Sequence, residues 1–139
     1  MLVQAALIPL FVEVGLTFGL LIWSVFLRGD AFRDGLDWRN VALGQPNWPP
    51  RATQVANAYG NQFELPVLFY ILTVLAIVLR KADFLFVIMA WLFVLTRLVH
   101  AVVHVTSNRV PLRGAIFIIG AIILLLMWLI FAARVLLAL

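Results

Sequence analysis

The chain has 139 residues, of which 65% are hydrophobic and 12% are charged, with a mean hydropathy of +1.13 and a net charge of +4. The length fits one domain, residues 1–139, and the composition excludes a water-soluble fold because too few polar residues remain to cover its surface. The chain has no cysteine, so any thiol chemistry needs a thiol from another molecule. Its basic residues are scattered, which favours membrane lipids over nucleic acid as partners.

Four hydrophobic segments predict four membrane-spanning helices and therefore an all-α four-helix bundle. The apolar run 65–79 is too short to cross a hydrocarbon core about 30 Å thick at 1.5 Å per residue, so the second helix must begin near residue 52. The first segment is long enough to span and lacks a signal peptide's basic start and cleavage site, so we expect it to stay in the protein. The predicted spans are about 2–27, 52–79, 84–105 and 114–136.

The connections between these helices differ in length and charge. The first, 28–51, is long and rich in proline, glycine and tryptophan, which predicts an irregular or partly amphipathic segment. The positive-inside rule places the first and third connections in the cytoplasm and both termini outside. The arginines of these two connections are Arg28, Arg33, Arg39, Arg51, Arg109 and Arg113.

Polar side chains recur every three or four residues along the second predicted helix, at Asn57, Asn61 and Glu64. This spacing places them on one helix face. Asparagine amides join membrane helices for about 1 kcal/mol each. A carboxylate near the bilayer centre costs at least about 2.5 kcal/mol and usually faces a partner, a water-filled cavity or a ligand. The face is therefore either a contact between helices or the wall of a ligand cavity.

A matching polar row follows on the third predicted helix, at Arg97, His100 and His104. In the predicted topology both rows lie in the cytoplasmic leaflet. We expect an ion pair between Arg97 and Glu64, with Glu13 of the first helix as the competing partner. The two histidines are half of a zinc site, but no further ligand accompanies them, so we expect no metal. They are either stacked, hydrogen-bonded histidines or the facing wall of a ligand cavity.

Two arginines, Arg109 and Arg113, flank Pro111 at the predicted start of the fourth helix. One interpretation is contact with lipid headgroups. The other is functional: a guanidinium at a helix amino terminus adds to the positive end of the helix dipole and stabilises an anion, including a thiolate. Arginine cannot act as a base, but it can lower the pKa of a bound thiol.

Two blocks of the chain resemble the MAPEG superfamily, the membrane-associated proteins in eicosanoid and glutathione metabolism. They are Asn61-x-x-Glu64 followed by Pro66, and RLVHAVVHVTSNRVPLR from Arg97 to Arg113. The resemblance covers all four predicted spans. The chain resembles bacterial-type members of the superfamily. This resemblance implies a homotrimer in the bacterial inner membrane, with glutathione bound between neighbouring subunits on the cytoplasmic side.

The resemblance also implies an activity and roles for single residues. The activity is transfer of glutathione or a related thiol, or a peroxidase reaction, on lipophilic small molecules that reach the site through the membrane. Arg113 would be the catalytic residue that stabilises the thiolate. The predicted cofactor-binding residues are Asn57, Asn61, Glu64, Arg97, His100, His104 and Arg109.

Three positions depart from the common pattern of the family. Asn57 stands where the family often has arginine, His104 where it commonly has an aromatic hydroxyl, and Phe117 where tyrosine is frequent. These departures leave open a second hypothesis, a non-catalytic MAPEG-like membrane protein that binds lipid or serves as a scaffold. Transport is disfavoured because the sequence shows no inverted repeat and no sign of a broken helix.

Overall fold

The computed structural model describes residues 2–44 and 47–139, and this part of the chain is helical without strands. The helices are α1 (Val3–Arg33), α2 (Trp38–Ala42), α3 (Pro50–Gly60), α4 (Leu65–Val78), α5 (Phe84–Val105) and α6 (Val110–Leu136). A 3₁₀ turn, Asn61–Phe63, joins α3 and α4 into one unit. This unit, α1, α5 and α6 are each long and apolar enough to cross a membrane, which confirms the predicted four-helix membrane fold.

Two helix ends differ from the bounds that hydropathy suggested. α1 continues past residue 27 to Arg33, whose positive charge in the last turn interacts favourably with the carboxyl end of the helix dipole. α6 begins at Val110 and not near residue 114, because Pro111 fits the first turn of a helix, where its missing N–H would have no partner. Hydropathy alone therefore does not predict where the polar ends of these two helices lie.

The second membrane-spanning unit is broken in its middle, contrary to the expectation of an unbroken helix. Pro66 has no N–H to donate to the carbonyl of Gln62, and its ring crowds that carbonyl, so an α-helix cannot run through this point. The chain forms the 3₁₀ turn, passes through Glu64 at φ −97° and ψ −106°, and starts again as α4. The break lies beside the polar face of the unit.

The bundle interior contains two apolar clusters. The larger one surrounds Phe69 of α4 and Phe93 of α5, whose ring centroids are 4.9 Å apart. The smaller one includes Leu20, Val55 and Ala101. Glu13 on α1 and Arg97 on α5 lie between the residues that their helices contribute to the two clusters, so a polar layer separates them.

Candidate functional site

An open cleft of about 540 Å³ lies on one side of the bundle, beside the helix break. Its walls come from α3 and the break, from the last turns of α5, and from the first turns of α6. Apart from Arg97 and Arg109, every residue predicted for the site lines this cleft. The lining residues are Ala56, Asn57, Gly60, Asn61, Glu64, His100, His104, Arg113, Gly114 and Phe117.

The open side of the cleft carries two exposed polar side chains, Asn57 and Glu64. Small residues, among them Gly60 and Gly114, form part of the wall, and a Cβ added to either glycine would meet nothing within 4 Å. The cleft thus has room for a ligand and presents an exposed carboxylate at its edge.

The two histidines form the inner wall of the cleft and are both buried. Asn61 Nδ2 lies 3.2 Å from His104 Nδ1. An amide nitrogen only donates, so Nδ1 accepts and the neutral ring carries its proton on Nε2. The His100 ring packs edge-to-face on His104, with centroids 5.8 Å apart, and lies 6.1 Å from the Phe117 ring. The histidine wall is therefore a hydrogen-bonded, packed surface.

Arg97 is buried and lies beneath the cleft instead of lining it, which corrects its predicted place in the wall. The predicted direct ion pair with Glu64 is not formed: within residues 2–44 and 47–139, no nitrogen of Arg97 lies within 4 Å of a Glu64 oxygen, although the Glu64 carboxylate still interacts electrostatically with Arg97. The prediction assumed one continuous helix, whereas the break displaces Glu64 from the row of Asn57 and Asn61. Arg97 Nη2 instead donates to the Asn61 carbonyl at 3.3 Å.

Arg113 lies in the first turn of α6 and projects into the cleft, half-buried. Its Nη1 donates to Asn108 Oδ1 at 2.8 Å. Sequence reasoning missed Asn108, although an asparagine in the turn before a helix that contains proline is a recognisable sign of left-handed backbone. Arg109 is exposed and is not among the residues that line the cleft.

The donor set of the cleft suits an organic ligand better than a metal ion. Over the residues that the structure describes, no group of three or more histidine, aspartate or glutamate side chains is placed to hold a metal. The cleft instead offers one guanidinium, one carboxylate, two amides and two imidazoles. Such a mixture can recognise a polar molecule that carries both charges.

Comparison with protein families gives a match over nearly the whole chain. A sequence model of the MAPEG family matches residues 6–133 of the chain. No curated protein and no solved structure matches it. The matched range contains the whole cleft and the helix break.

Proposed function

The chain belongs to the MAPEG family of integral membrane proteins, and from this membership we propose that it is a membrane enzyme that activates glutathione or a related thiol for reaction with lipophilic substrates. The alignment with the family covers nearly the whole chain and includes every residue of the cleft. The cleft volume, about 540 Å³, lies in the range typical of small-molecule sites.

The observation that carries this proposal is the position of Arg113. It lies in the first turn of α6 and shares one cleft with Asn61 and Glu64. The positive end of the helix dipole and the guanidinium both favour an anion at this point. Glutathione would bring a thiol, two carboxylates and one ammonium, and Glu64 is the natural partner for the ammonium. Arg113 would then stabilise the thiolate.

The chemistry needs little more than this stabilisation. The bound thiol releases its proton to water, and the thiolate sulfur bonds to an electrophilic carbon while the leaving group departs with its electron pair. In the peroxidase variant, two thiols are oxidised to a disulfide as a hydroperoxide is reduced to an alcohol and water. The cleft opens on the side of a bundle whose outer surface is apolar, so a lipophilic substrate can enter from the bilayer.

Part of this proposal is that the enzyme is a homotrimer with the site between subunits. Glu64 is exposed on the open side of the cleft, and a carboxylate facing lipid near the bilayer centre costs at least about 2.5 kcal/mol. A neighbouring copy that packs against Glu64 removes that cost and supplies a further wall of the site. The cleft lies at the helix ends next to the arginine-rich first and third connections, so we place it on the cytoplasmic side.

Binding of glutathione to the purified protein, measured by calorimetry, tests the cofactor. We expect binding at millimolar ligand or below, and weaker binding by Glu64→Gln, which keeps the size of the side chain but loses its charge. If the folded wild-type protein gives no heat at millimolar glutathione, the thiol enzyme is the wrong proposal.

Thiolate absorbance tests Arg113. A thiol with a pKa of about 8.5, lowered by about two units, is mostly thiolate at neutral pH. We expect Arg113→Ala to lose this absorbance and most of the conjugation rate, whereas Arg109→Ala, exposed and outside the cleft lining, keeps both. An Arg113→Ala protein that binds glutathione and retains full absorbance and rate would exclude the proposed role.

A second function, a non-catalytic lipid-binding or scaffold protein, is favoured by one observation. His104 stands where the family commonly has an aromatic hydroxyl, and its Nδ1 is already engaged by Asn61. Asn57 likewise replaces an arginine that the family often has. This alternative predicts phospholipid bound to the purified protein and no conjugation of a generic electrophile.

A further inference from the structure

Three titratable side chains from three different helices meet inside the bundle. Glu13 of α1 and Arg97 of α5 are fully buried, and Tyr70 of α4 has a buried hydroxyl. Each of the three interacts electrostatically with the other two. They form one polar group in the layer between the two apolar clusters, and none of them lines the cleft.

Most polar atoms of these three side chains have no hydrogen-bond partner within residues 2–44 and 47–139 of the protein. Among the residues that the structure describes, both carboxylate oxygens of Glu13 and Nε and Nη1 of Arg97 are buried without a hydrogen-bond partner. The buried Tyr70 hydroxyl lies near the Thr17 side chain but makes no hydrogen bond of normal geometry with it. Burial of even one such atom in an apolar interior is unfavourable, and burial of a charged one is more so. Several together in one place require an occupant that can both donate and accept.

The two charges are not in direct contact, which leaves their bridging to water. No Arg97 nitrogen lies within 4 Å of a Glu13 oxygen in the described part of the chain, so the two are not directly paired. A bridging water with a hydrogen bond of about 2.8 Å on each side spans roughly 5 Å or slightly more. Glu13 supplies acceptors, Arg97 donors and Tyr70 both, which gives a water the two to four partners that it needs.

We propose that Glu13, Tyr70 and Arg97 together bind internal water, and that Glu13 acts through it as the counter-charge that positions Arg97 beneath the cleft. Arg97 donates to the Asn61 carbonyl at the helix break, and the Asn61 amide donates to His104. Glu13 is therefore a positioning residue that touches no ligand itself. This inference does not depend on glutathione being the ligand.

X-ray radiolytic labelling of the full-length protein in lipid nanodiscs, in ¹⁸O-labelled water, tests the water directly. Side chains beside bound water are oxidised fastest, so Tyr70 should be labelled several-fold more than Phe69, its fully buried neighbour in the apolar core. Glu13→Leu should reduce the labelling of Tyr70 several-fold. The control Thr73→Val, which alters a buried hydroxyl bonded within its own helix, should leave it unchanged.

Two results would overturn the water site: wild-type Tyr70 labelled no faster than Phe69, or undiminished labelling of Tyr70 in folded Glu13→Leu. The first comparison needs no variant, so it decides the matter even if Glu13→Leu does not fold. A direct Glu13–Arg97 ion pair without water would appear as the first result.

The positioning role has its own readout. The chain has only two histidines, so ¹⁵N-histidine NMR gives a simple spectrum that His100→Asn assigns. Glu13→Gln removes the counter-charge at constant size and should shift the Nδ1 signal of His104, while Thr73→Val should not. An unchanged His104 signal in folded Glu13→Gln would refute the positioning role. Glutathione is absent from both experiments, so their failure is distinct from failure of the proposed enzyme.

Discussion

At the scale of single residues, Asn108 holds the side chain on which the proposed chemistry depends. Its backbone is left-handed, with φ +51°, a conformation that asparagine tolerates better than most residues with a Cβ. This turn places Oδ1 where Nη1 of Arg113 donates to it at 2.8 Å. The guanidinium is thereby fixed at the start of α6, on the wall of the cleft.

Asn108→Gly removes the hydrogen bond to Arg113 but keeps the turn, because glycine adopts positive φ without strain and offers no side-chain acceptor. We expect an almost unchanged melting temperature and a roughly fivefold lower conjugation rate, since the hydrogen bond contributes about 1 kcal/mol. Thiolate absorbance and kinetics measure the effect. Asn108→Ala should lose the same activity and also some stability. Full thiolate absorbance in the glycine variant would show that Asn108 does not hold Arg113.

At the scale of helices, the break after α3 and the close contact of α5 with α6 set the geometry. The break moves Glu64 out of line with Asn57 and Asn61, so Glu64 acts on Arg97 only at a distance and not in the direct ion pair that the spacing suggested. The other contact depends on Gly120 of α6, because a Cβ there would lie 2.7 Å from Thr96 Oγ1. Helix geometry alone predicts neither feature. The break depends on Pro66, and the close contact depends on the absence of a side chain at Gly120.

Gly120→Ala should destabilise the bundle. The Thr96 hydroxyl, which donates to the Phe93 carbonyl at 2.6 Å, must rotate away or the helices must separate, at a cost of about 1 to 3 kcal/mol. Unfolding in detergent measures this, with Gly114→Ala as the control because its Cβ meets nothing within 4 Å. Thr96→Ala in the same chain should restore most of the loss. Equal stability of the two glycine variants would contradict the close contact.

Asp83 at the start of α5 predicts a pH dependence. Burial raises its pKa, but the hydrogen bond from the Phe86 N–H and the ion pair with Arg134 together outweigh burial and hold the pKa below its ordinary value of 3.8. A carboxylate with a depressed pKa in the folded protein stabilises the fold above its ordinary pKa, and this contribution is lost as pH falls through the folded-state value.

The measurement is the melting temperature of wild type and Asp83→Asn across pH. We expect wild type to be more stable at pH 7 by an amount that shrinks below pH 3.8, where the carboxylate becomes protonated. Asp34→Asn, in the exposed first connection, serves as the control. A difference that is equally large at neutral and acidic pH would mean that the charge of Asp83 contributes nothing.

At the scale of the whole molecule, an apolar bundle carries a polar cleft on its side. Large hydrophobic residues are exposed along all four membrane-spanning units, as lipid contact requires. The cleft interrupts this surface with Glu64 and Asn57. Polar side chains on a lipid-facing surface are unfavourable unless another protein surface packs against them. We propose that a second copy of the chain provides that surface.

The proposed trimer predicts a mass of three 15.6-kDa chains by native mass spectrometry of protein released from nanodiscs. We expect glutathione binding to disappear under detergent conditions that dissociate the trimer while the helices remain intact, because each cleft would lose the wall supplied by its neighbour. Circular dichroism on the same samples checks the helices. A folded monomer that binds glutathione with full affinity would refute a shared site.

The sequence by itself determined the class of the molecule and most of the cleft. Hydropathy and helical spacing are local properties, so they predicted four membrane-spanning helices and two polar rows. They left open whether Asn57, Asn61, His100 and His104 form helix contacts or the walls of a cavity. Only the tertiary structure decided which charges meet. The place of Arg97, bonded to the Asn61 carbonyl and not in direct contact with Glu64, depends on a proline break and on packing between distant segments. Spacing along one helix carries no information about either.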